Sequence, residues 1–172
     1  GKTCFMKAIG ITIIMAQCGM YVPCSEFVYY PYKKLFTRIL NQDNIFKGLS
    51  TFANEMTELR NILHNANHDS LVLGDELCSG TEHESALSIF VSGLSYLYSK
   101  NVQFLFATHL HEIVDYEEVN SMKRLQKYHL TVHYNREKDV LVYDRKLKSG
   151  SGSSFELFLF ISFMLTTLPK RN

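Results

Sequence analysis

Two adjacent carboxylates, Asp75 and Glu76, follow a short apolar run in this sequence. The run, residues 71–74, reads Leu-Val-Leu-Gly, which is typical of a buried strand in a parallel sheet. In an open parallel sheet, ligands bind just beyond the carboxyl ends of the strands. We therefore expect Asp75 to hold Mg²⁺, directly or through water, and Glu76 to polarise an attacking water. Phosphoryl transfer needs both a metal that neutralises charge and a group that positions the nucleophile.

The first three residues, Gly1, Lys2 and Thr3, offer a matching phosphate site. They lead into a helical apolar pattern and correspond to the end of the phosphate-binding loop G-x-x-x-x-G-K-[ST], without its first five residues. Lys2 would approach the β- and γ-phosphates, and Thr3 would give its hydroxyl to Mg²⁺. The tripeptide alone is common by chance, but with a downstream strand that ends in Asp-Glu it indicates a nucleoside triphosphatase. The pattern also predicts a fragment that begins inside its own nucleotide site.

A histidine, His109, closes the apolar run Phe-Leu-Phe-Ala-Thr at residues 104–108. If that run is a strand beside residues 71–74, the imidazole reaches the γ-phosphate region, where it could sense the phosphate or orient water. The alternative is a structural hydrogen bond at a strand end. His111 and Glu112 also raise the possibility of a zinc site with His109, but no further ligand is obvious.

A loop at residues 48–51 leads into another predicted helix and contains Gly48, Ser50 and Thr51. Backbone N–H groups at a helix N-terminus can hold an anion, so this loop is a second possible anion site. The alternative is that Ser50 is a plain N-cap, and the local sequence by itself favours that interpretation.

The apolar periodicities predict an α/β fold, with a mostly parallel sheet flanked by helices and an antiparallel hairpin near the C-terminus. Predicted helices cover residues 2–17, 50–66 and 82–99, and Gly19 is the expected stop of the first. Predicted strands cover 36–40, 71–74 and 102–107, with hairpin strands at 128–134 and 140–146. We divide the chain into a nucleotide-binding domain at 1–154, lacking its first strand and the start of the phosphate loop, and an apolar segment at 155–172.

The composition of the chain indicates an ordinary soluble, intracellular domain, with no indication of the compartment. Its 172 residues suffice for one domain, and 46% apolar and 20% charged residues are usual for globular proteins. A formal net charge of +1 gives no strong basic field for nucleic acid. The four cysteines form no C-x-x-C pair, which favours reduced thiols. No signal peptide is apparent, and residues 155–168 are too few to cross a bilayer, which takes about 20 apolar residues.

Several motifs, taken in order, resemble the ATPase domain of the MutS family of DNA mismatch-repair proteins. The resemblance runs from Gly1 to about Ser154. Its motifs are the Gly-Lys-Thr start, Gly19-Met-Tyr-Val-Pro23, Phe36-Thr-Arg-Ile39, Ser50-Thr-Phe-x-x-Glu-Met56, Leu71-Val-Leu-x-Asp-Glu76 and Phe106-Ala-Thr-His109. So many matches in the family's order are highly specific.

The resemblance implies a phosphate-loop ATPase of the ABC type that uses ATP and Mg²⁺ and works as a homo- or heterodimer. Gly1, Lys2 and Thr3 would bind the nucleotide, Thr3 and Asp75 the metal, and Glu76 and His109 would be catalytic. Gly48, Ser50 and Thr51 would form a signature loop that acts on the partner's nucleotide. In the family, other domains bind mismatched double-stranded DNA, and ATP turnover drives a clamp around it. No membrane association is implied.

Two segments depart from the family pattern. After Glu76 most members read Leu/Ile-Gly-Arg-Gly-Thr-Ser, whereas this chain has Leu-Cys-Ser-Gly-Thr-Glu at residues 77–82, which puts communication between the two sites in doubt. Residues 155–172 are rich in phenylalanine and suggest either a diverged helix or a reading-frame artefact.

Two other functions remain as alternatives. Another ABC-type ATPase, of the chromosome-maintenance or transporter kind, would carry Leu-Ser-Gly-Gly before the metal-binding strand, and this chain does not. The second alternative is a remnant of such a domain that does not hydrolyse ATP.

Overall fold

A computed structural model describes residues 2–39, 51–78, 81–135, 139–150 and 157–161 of the chain. Four α-helices, one 3₁₀ helix and six strands lie in these ranges. The α-helices are α1 (Lys2–Gln17), α2 (Thr51–Asn65), α3 (His83–Ser99) and the short α4 (Glu117–Asn120), and the 3₁₀ helix is His111–Asp115. The strands are β1 (Lys34–Arg38), β2 (Ser70–Asp75), β3 (Gln103–Thr108), β4 (Gln126–Asn135), β5 (Val140–Ser149) and β6 (Leu157–Ile161).

The six strands form one sheet in the order β1-β2-β3-β6-β4-β5. The first three strands are parallel, and the other three pairings, β3 with β6, β6 with β4 and β4 with β5, are antiparallel. The α/β class, the parallel core and the hairpin are therefore confirmed. In the sheet of the described residues two strand pairings are parallel and three are antiparallel, so the predicted parallel sheet is confirmed for its three-strand part only.

Strands β2 and β3 are buried on both faces, as their continuous apolar runs require, whereas β1 is partly exposed. Val72 and Phe104 face α2 and α3 in one cluster, whereas Leu71 and Leu105 face α1 in another. Alternate residues of a strand point to opposite faces, so one short run supplies both layers of the core. The strands that lead to the site are consequently held between α1 on one face and α2 with α3 on the other.

The first helix ends where the sequence predicted. Gly19 adopts a φ of 73°, its N–H donates to the carbonyl of Ala16, and the N–H of Met20 donates to that of Met15. This pair of bonds is the Schellman arrangement, which favours glycine because a left-handed residue is required. The sequence therefore predicts where the helix that carries Lys2 and Thr3 ends.

The segment after residue 155 holds the largest departure from prediction. Leu157–Ile161 is a strand that pairs with both β3 and β4, whereas a diverged helix was one expectation for this segment. An apolar run of this length suits a strand between two neighbours as well as a helix, and tertiary pairing decides between them. Residues 151–156 and 162–172 lie outside the described part. Among the helices that the structure describes, none is long and apolar enough to cross a membrane.

Candidate functional site

The candidate site lies at the edge of the sheet where β2 and β3 both end. These strands are parallel, with Asp75 opposite Ala107, so Glu76 and His109 emerge at the same edge. The backbone N–H of Glu76 donates to the carbonyl oxygen of Ala107 at 2.9 Å, which extends the pairing beyond β2. The condition placed on His109, that its strand neighbours residues 71–74, is thus met.

Helix α1 brings its first residues to the same edge. Its buried residues Lys2, Met6 and Ile13 recur at helical spacing, and the two apolar ones pack against the face of β2 and β3 that carries Leu73. Although Lys2 is charged, it is only 5% exposed, because its side chain points along this face toward the strand ends. A lysine this buried requires partners for its ammonium group.

Those partners are the two residues predicted to be catalytic. The Nζ of Lys2 lies 3.1 Å from Oε1 of Glu76 and 2.6 Å from Nε2 of His109. The same Nε2 lies 2.8 Å from Oε1 of Glu76. Three groups from three elements, separated by up to 107 residues, therefore meet at one point.

The three groups cannot all be satisfied by one proton arrangement. Lysine is only a donor, so Nε2 of His109 must be unprotonated to accept from Lys2, yet it must carry a proton to donate to Glu76. Either arrangement leaves one contact of the cluster without its hydrogen bond. A ligand that drew the ammonium group away would free Nε2 to donate to the carboxylate.

A second contact joins the two residues predicted to hold the metal. The hydroxyl of Thr3 donates to Oδ2 of Asp75 at 2.5 Å. Asp75 is 3% exposed, and its other oxygen, Oδ1, is buried with no hydrogen-bond partner among the described residues. A hydroxyl beside an incompletely satisfied carboxylate is a set of hard oxygen donors, the kind Mg²⁺ prefers. These residues therefore fit the ion.

Glu76 is held in an unusual backbone conformation with an ionised side chain. Its φ is 51°, in the left-handed region that non-glycine residues seldom adopt. Burial favours the neutral carboxyl, but the hydrogen bond and charge of Lys2, helped by His109, outweigh it and lower the pKa of Glu76. The carboxylate is thus available as an acceptor at neutral pH.

The remaining predicted site residues lie at the border of the described chain. Gly1, Gly48 and Ser50 fall outside it, and Thr51 is the first residue of α2 with its side chain outside it. The second anion site therefore stays a prediction. No cluster of three or more metal-ligating side chains occurs in the described ranges, so the zinc alternative finds no support there.

Glu55 of α2, for which the sequence motifs predicted no role, is buried next to this site. Glu55 of α2 is 1% exposed, and its Oε1 accepts the backbone N–H of Cys78 at 2.6 Å. The signal was present, because Glu55 lies at helical spacing between Phe52 and Leu59, on the apolar stripe of α2. A carboxylate on such a stripe must have a buried partner.

The fold and the site define an α/β protein with a lysine, two carboxylates and a histidine at the carboxyl edge of its parallel strands. Comparison with known proteins is more specific: residues 1–161 match the family model of MutS domain V. The chain belongs to the MutS family.

Three relatives illustrate the similarity. A mutS homolog of Acanthamoeba polyphaga mimivirus is 49% identical over 157 residues, which is 90% of this chain and 14% of that protein. The mitochondrial DNA mismatch repair protein mutS homolog of Sarcophyton glaucum is 42% identical over 90% of this chain and 15% of its own length. The DNA mismatch repair protein MutS of Methanococcoides burtonii is 38% identical over 88% of this chain and 17% of its own length. The chain thus spans only about a seventh to a sixth of these relatives.

Proposed function

We propose that this chain is the ATP-binding and ATP-hydrolysing unit of a MutS-type mismatch-repair protein, with a phosphate-loop fold of the ABC type. The observation that carries the proposal is the convergence of Lys2, Glu76 and His109 at one point, beside the contact between Thr3 and Asp75. A cation, a base and a metal-binding pair within one small volume are the parts that phosphoryl transfer requires.

The buried lysine supplies the phosphate contact. The ammonium group of Lys2 now occupies the space between Glu76 and His109, and a nucleotide phosphate would offer it stronger charge-assisted bonds. The backbone N–H groups of Lys2 and Thr3, at the N-terminus of α1, would hold phosphate oxygens. When a nucleotide binds, the Lys2 ammonium group would therefore exchange Glu76 and His109 for phosphate oxygens, and no further lysine would have to be buried.

The carboxylates have separate tasks. Asp75 and Thr3 would hold Mg²⁺, which neutralises charge on the phosphates when bound. Glu76, once released by Lys2, would orient a water molecule and accept its proton, because its carboxyl group is ionised at neutral pH. His109 would then donate to Glu76 or to the phosphate and so report whether the phosphate is present.

The function of the larger assembly follows from the family. Binding of mismatched double-stranded DNA and a DNA clamp are proposals that concern other domains of the family. A dimer through the ATPase face is a proposal that concerns this chain. All three relatives carry mismatch repair in their names, which supports that role. The family match favours MutS over the transporter and chromosome-maintenance classes of ABC ATPase.

Site-directed variants of the full-length natural protein that carries this sequence test the proposal. Glu76→Gln should lower ATP turnover by roughly 10² to 10⁴ while leaving ATP binding largely intact, the usual contribution of a positioned general base. Lys2→Ala should instead weaken ATP binding, and His109→Ala should resemble Glu76→Gln. Lys7→Ala is the matched control, because Lys7 is an exposed lysine on the same helix.

Two outcomes would contradict the proposal. Wild-type turnover by Glu76→Gln would show that the base is misassigned. The absence of hydrolysis in the wild-type protein itself would favour the non-hydrolysing remnant.

A further inference from the structure

The carboxyl group of Glu55 is buried beneath the candidate site. Its Oε1 accepts the backbone N–H of Cys78 at 2.6 Å, and its Oε2 is buried without a hydrogen-bond partner in the described part of the chain. Burying a carboxylate with so few partners costs free energy, and a well-packed apolar residue of similar size is often at least as stable. Stability alone therefore gives little reason for a glutamate at this position.

The hydrogen bond that Glu55 accepts from Cys78 restrains a strained turn at residues 76–78. Cys78 has a φ of 65°, and Glu76, two residues earlier, has a φ of 51°. Left-handed conformations are costly for residues with a Cβ and persist only where the surroundings hold them. The N–H of Glu76 is fixed to Ala107, and the N–H of Cys78 is fixed to Glu55, so the turn is anchored at both ends.

The anchored turn sets where the Glu76 carboxylate lies. Its Oε1 is placed 3.1 Å from Nζ of Lys2 and 2.8 Å from Nε2 of His109. If the turn relaxed toward ordinary φ values, the side chain of Glu76 would leave this position. The backbones of Lys2, within α1, and of Asp75, within β2, would stay in place because neither belongs to the turn.

Glu55 also connects this turn to a second element. It lies four residues, about one helical turn, after Thr51, where α2 begins. The proposed signature loop leads directly into that helix start. A shift of α2 would therefore move the Glu55 carboxyl group and, with it, the backbone N–H of Cys78 next to the site.

We propose that Glu55 is a positioning residue for ATP hydrolysis: it holds the turn at Cys78 so that Glu76 keeps its catalytic placement, and it makes that placement depend on α2. The inference rests on the proposed ATPase function. It assigns Glu55 no contact with the nucleotide.

The test uses the full-length natural protein and the variant Glu55→Leu, which removes the acceptor and keeps an apolar side chain of similar size. We expect kcat to fall by about 10-fold to 10²-fold, the effect of a misplaced catalytic group, with KM for ATP unchanged. Glu55→Gln, which retains an acceptor oxygen, should lower kcat by a smaller factor than Glu55→Leu. Glu58→Leu is the control, because Glu58 lies on the same helix, is exposed and pairs with Arg38 instead.

A second substitution separates positioning from folding. Cys78→Gly removes the penalty of the left-handed conformation, so the turn should depend less on Glu55. The fold-loss in kcat caused by Glu55→Leu or Glu55→Gln should therefore be smaller in the Cys78→Gly background. If Glu55→Leu fails to fold by circular dichroism, the comparison is made with Glu55→Gln in both backgrounds.

The outcomes distinguish this inference from the proposed function. An unchanged kcat in folded Glu55→Leu, or an equal loss in both backgrounds, overturns the positioning role while Glu76→Gln remains inactive. Wild-type turnover by Glu76→Gln overturns only the assignment of the base, whereas the absence of ATP hydrolysis in the wild-type protein overturns the proposed function itself.

Discussion

Substituting Gly74, the residue before the two carboxylates, tests how tightly the site is built into the sheet. A Cβ at Gly74 would lie 2.4 Å from both Cδ1 and Cε1 of Phe106 on the neighbouring strand. Ordinary carbon contacts are about 3.5–4.0 Å, so the ring would have to retreat by at least about 1 Å. The ring has little room to move, because Phe106 is 1% exposed. It packs edge-on against Phe90 and at a tilt against Phe104.

We therefore expect Gly74→Ala to destabilise the protein by about 1–3 kcal/mol, the usual cost of overpacking a core. For a chain of this size, each kcal/mol lowers Tm by roughly 2–4 °C. The assay is thermal unfolding followed by circular dichroism, with urea unfolding as the second measurement.

Gly93→Ala provides a matched control with the opposite expected sign. Gly93 lies inside α3, and no heavy atom would come within 4 Å of its added Cβ. Alanine is favoured over glycine inside a helix by roughly 0.5–1 kcal/mol, so this variant should unfold at the same or a higher temperature. A double-mutant cycle of Gly74→Ala with Phe106→Leu should show a favourable coupling, since the smaller side chain relieves the contact. Equal melting temperatures for the two alanine variants, or strict additivity in the cycle, would refute the packing argument.

Three further predictions concern the site and its surroundings. Cys78 is buried, and burial together with the nearby Glu55 charge raises its thiol pKa to about 12, so in this chain Ellman's reagent at pH 8 should label it only after unfolding. The cysteines expected to react in the folded chain are the exposed Cys4, Cys18 and Cys24, and equal reactivity of all four would contradict the prediction. Because the pKa of Glu76 is lowered from 4.5, the stability that Lys2 gives it is present above about pH 4.5 and is lost as pH falls through the folded-state pKa. The difference in unfolding free energy between wild type and Lys2→Met should accordingly shrink in urea titrations below pH 4.5, and a constant difference would show that the pair does not set this pKa. In purified full-length heterodimers of one wild-type subunit and one subunit that carries both Ser50→Ala and Glu76→Gln, ATP hydrolysis should fall well below half of wild type, because Glu76→Gln damages the site of its own subunit and Ser50→Ala damages the site of the partner. Retention of about half would mean that Ser50 is only an N-cap within its own chain.

Local sequence determined the elements that carry the candidate site. Helix α1 was predicted at residues 2–17 and is observed at Lys2–Gln17. The strands before Asp75 and His109 were predicted within one or two residues of their observed bounds, because continuous apolar runs with abrupt polar ends are strong local signals. Strand β1 begins two residues earlier than predicted, since its start is set by pairing with Ser70 instead of by its own pattern.

Residue types at the ends of those strands also predicted which side chains would meet. Parallel strands end at one edge of a sheet, so Glu76 and His109 could be placed together before the structure was known. Their distances to Lys2 and the hydrogen bond from Thr3 to Asp75 depend on how α1 packs across the strands, which local sequence does not specify.

Only the tertiary structure decided the features that depend on distant partners. Leu157–Ile161 is a strand because β3 and β4 each offer it a pairing edge, and an apolar run of five residues contains no signal for which neighbours it will find. The left-handed residues Glu76 and Cys78 donate their N–H groups to distant partners, Ala107 and a carboxylate 23 residues before Cys78. Sequence periodicity reports which face of an element is buried, whereas register, backbone strain and long-range hydrogen bonds are properties of the packed chain.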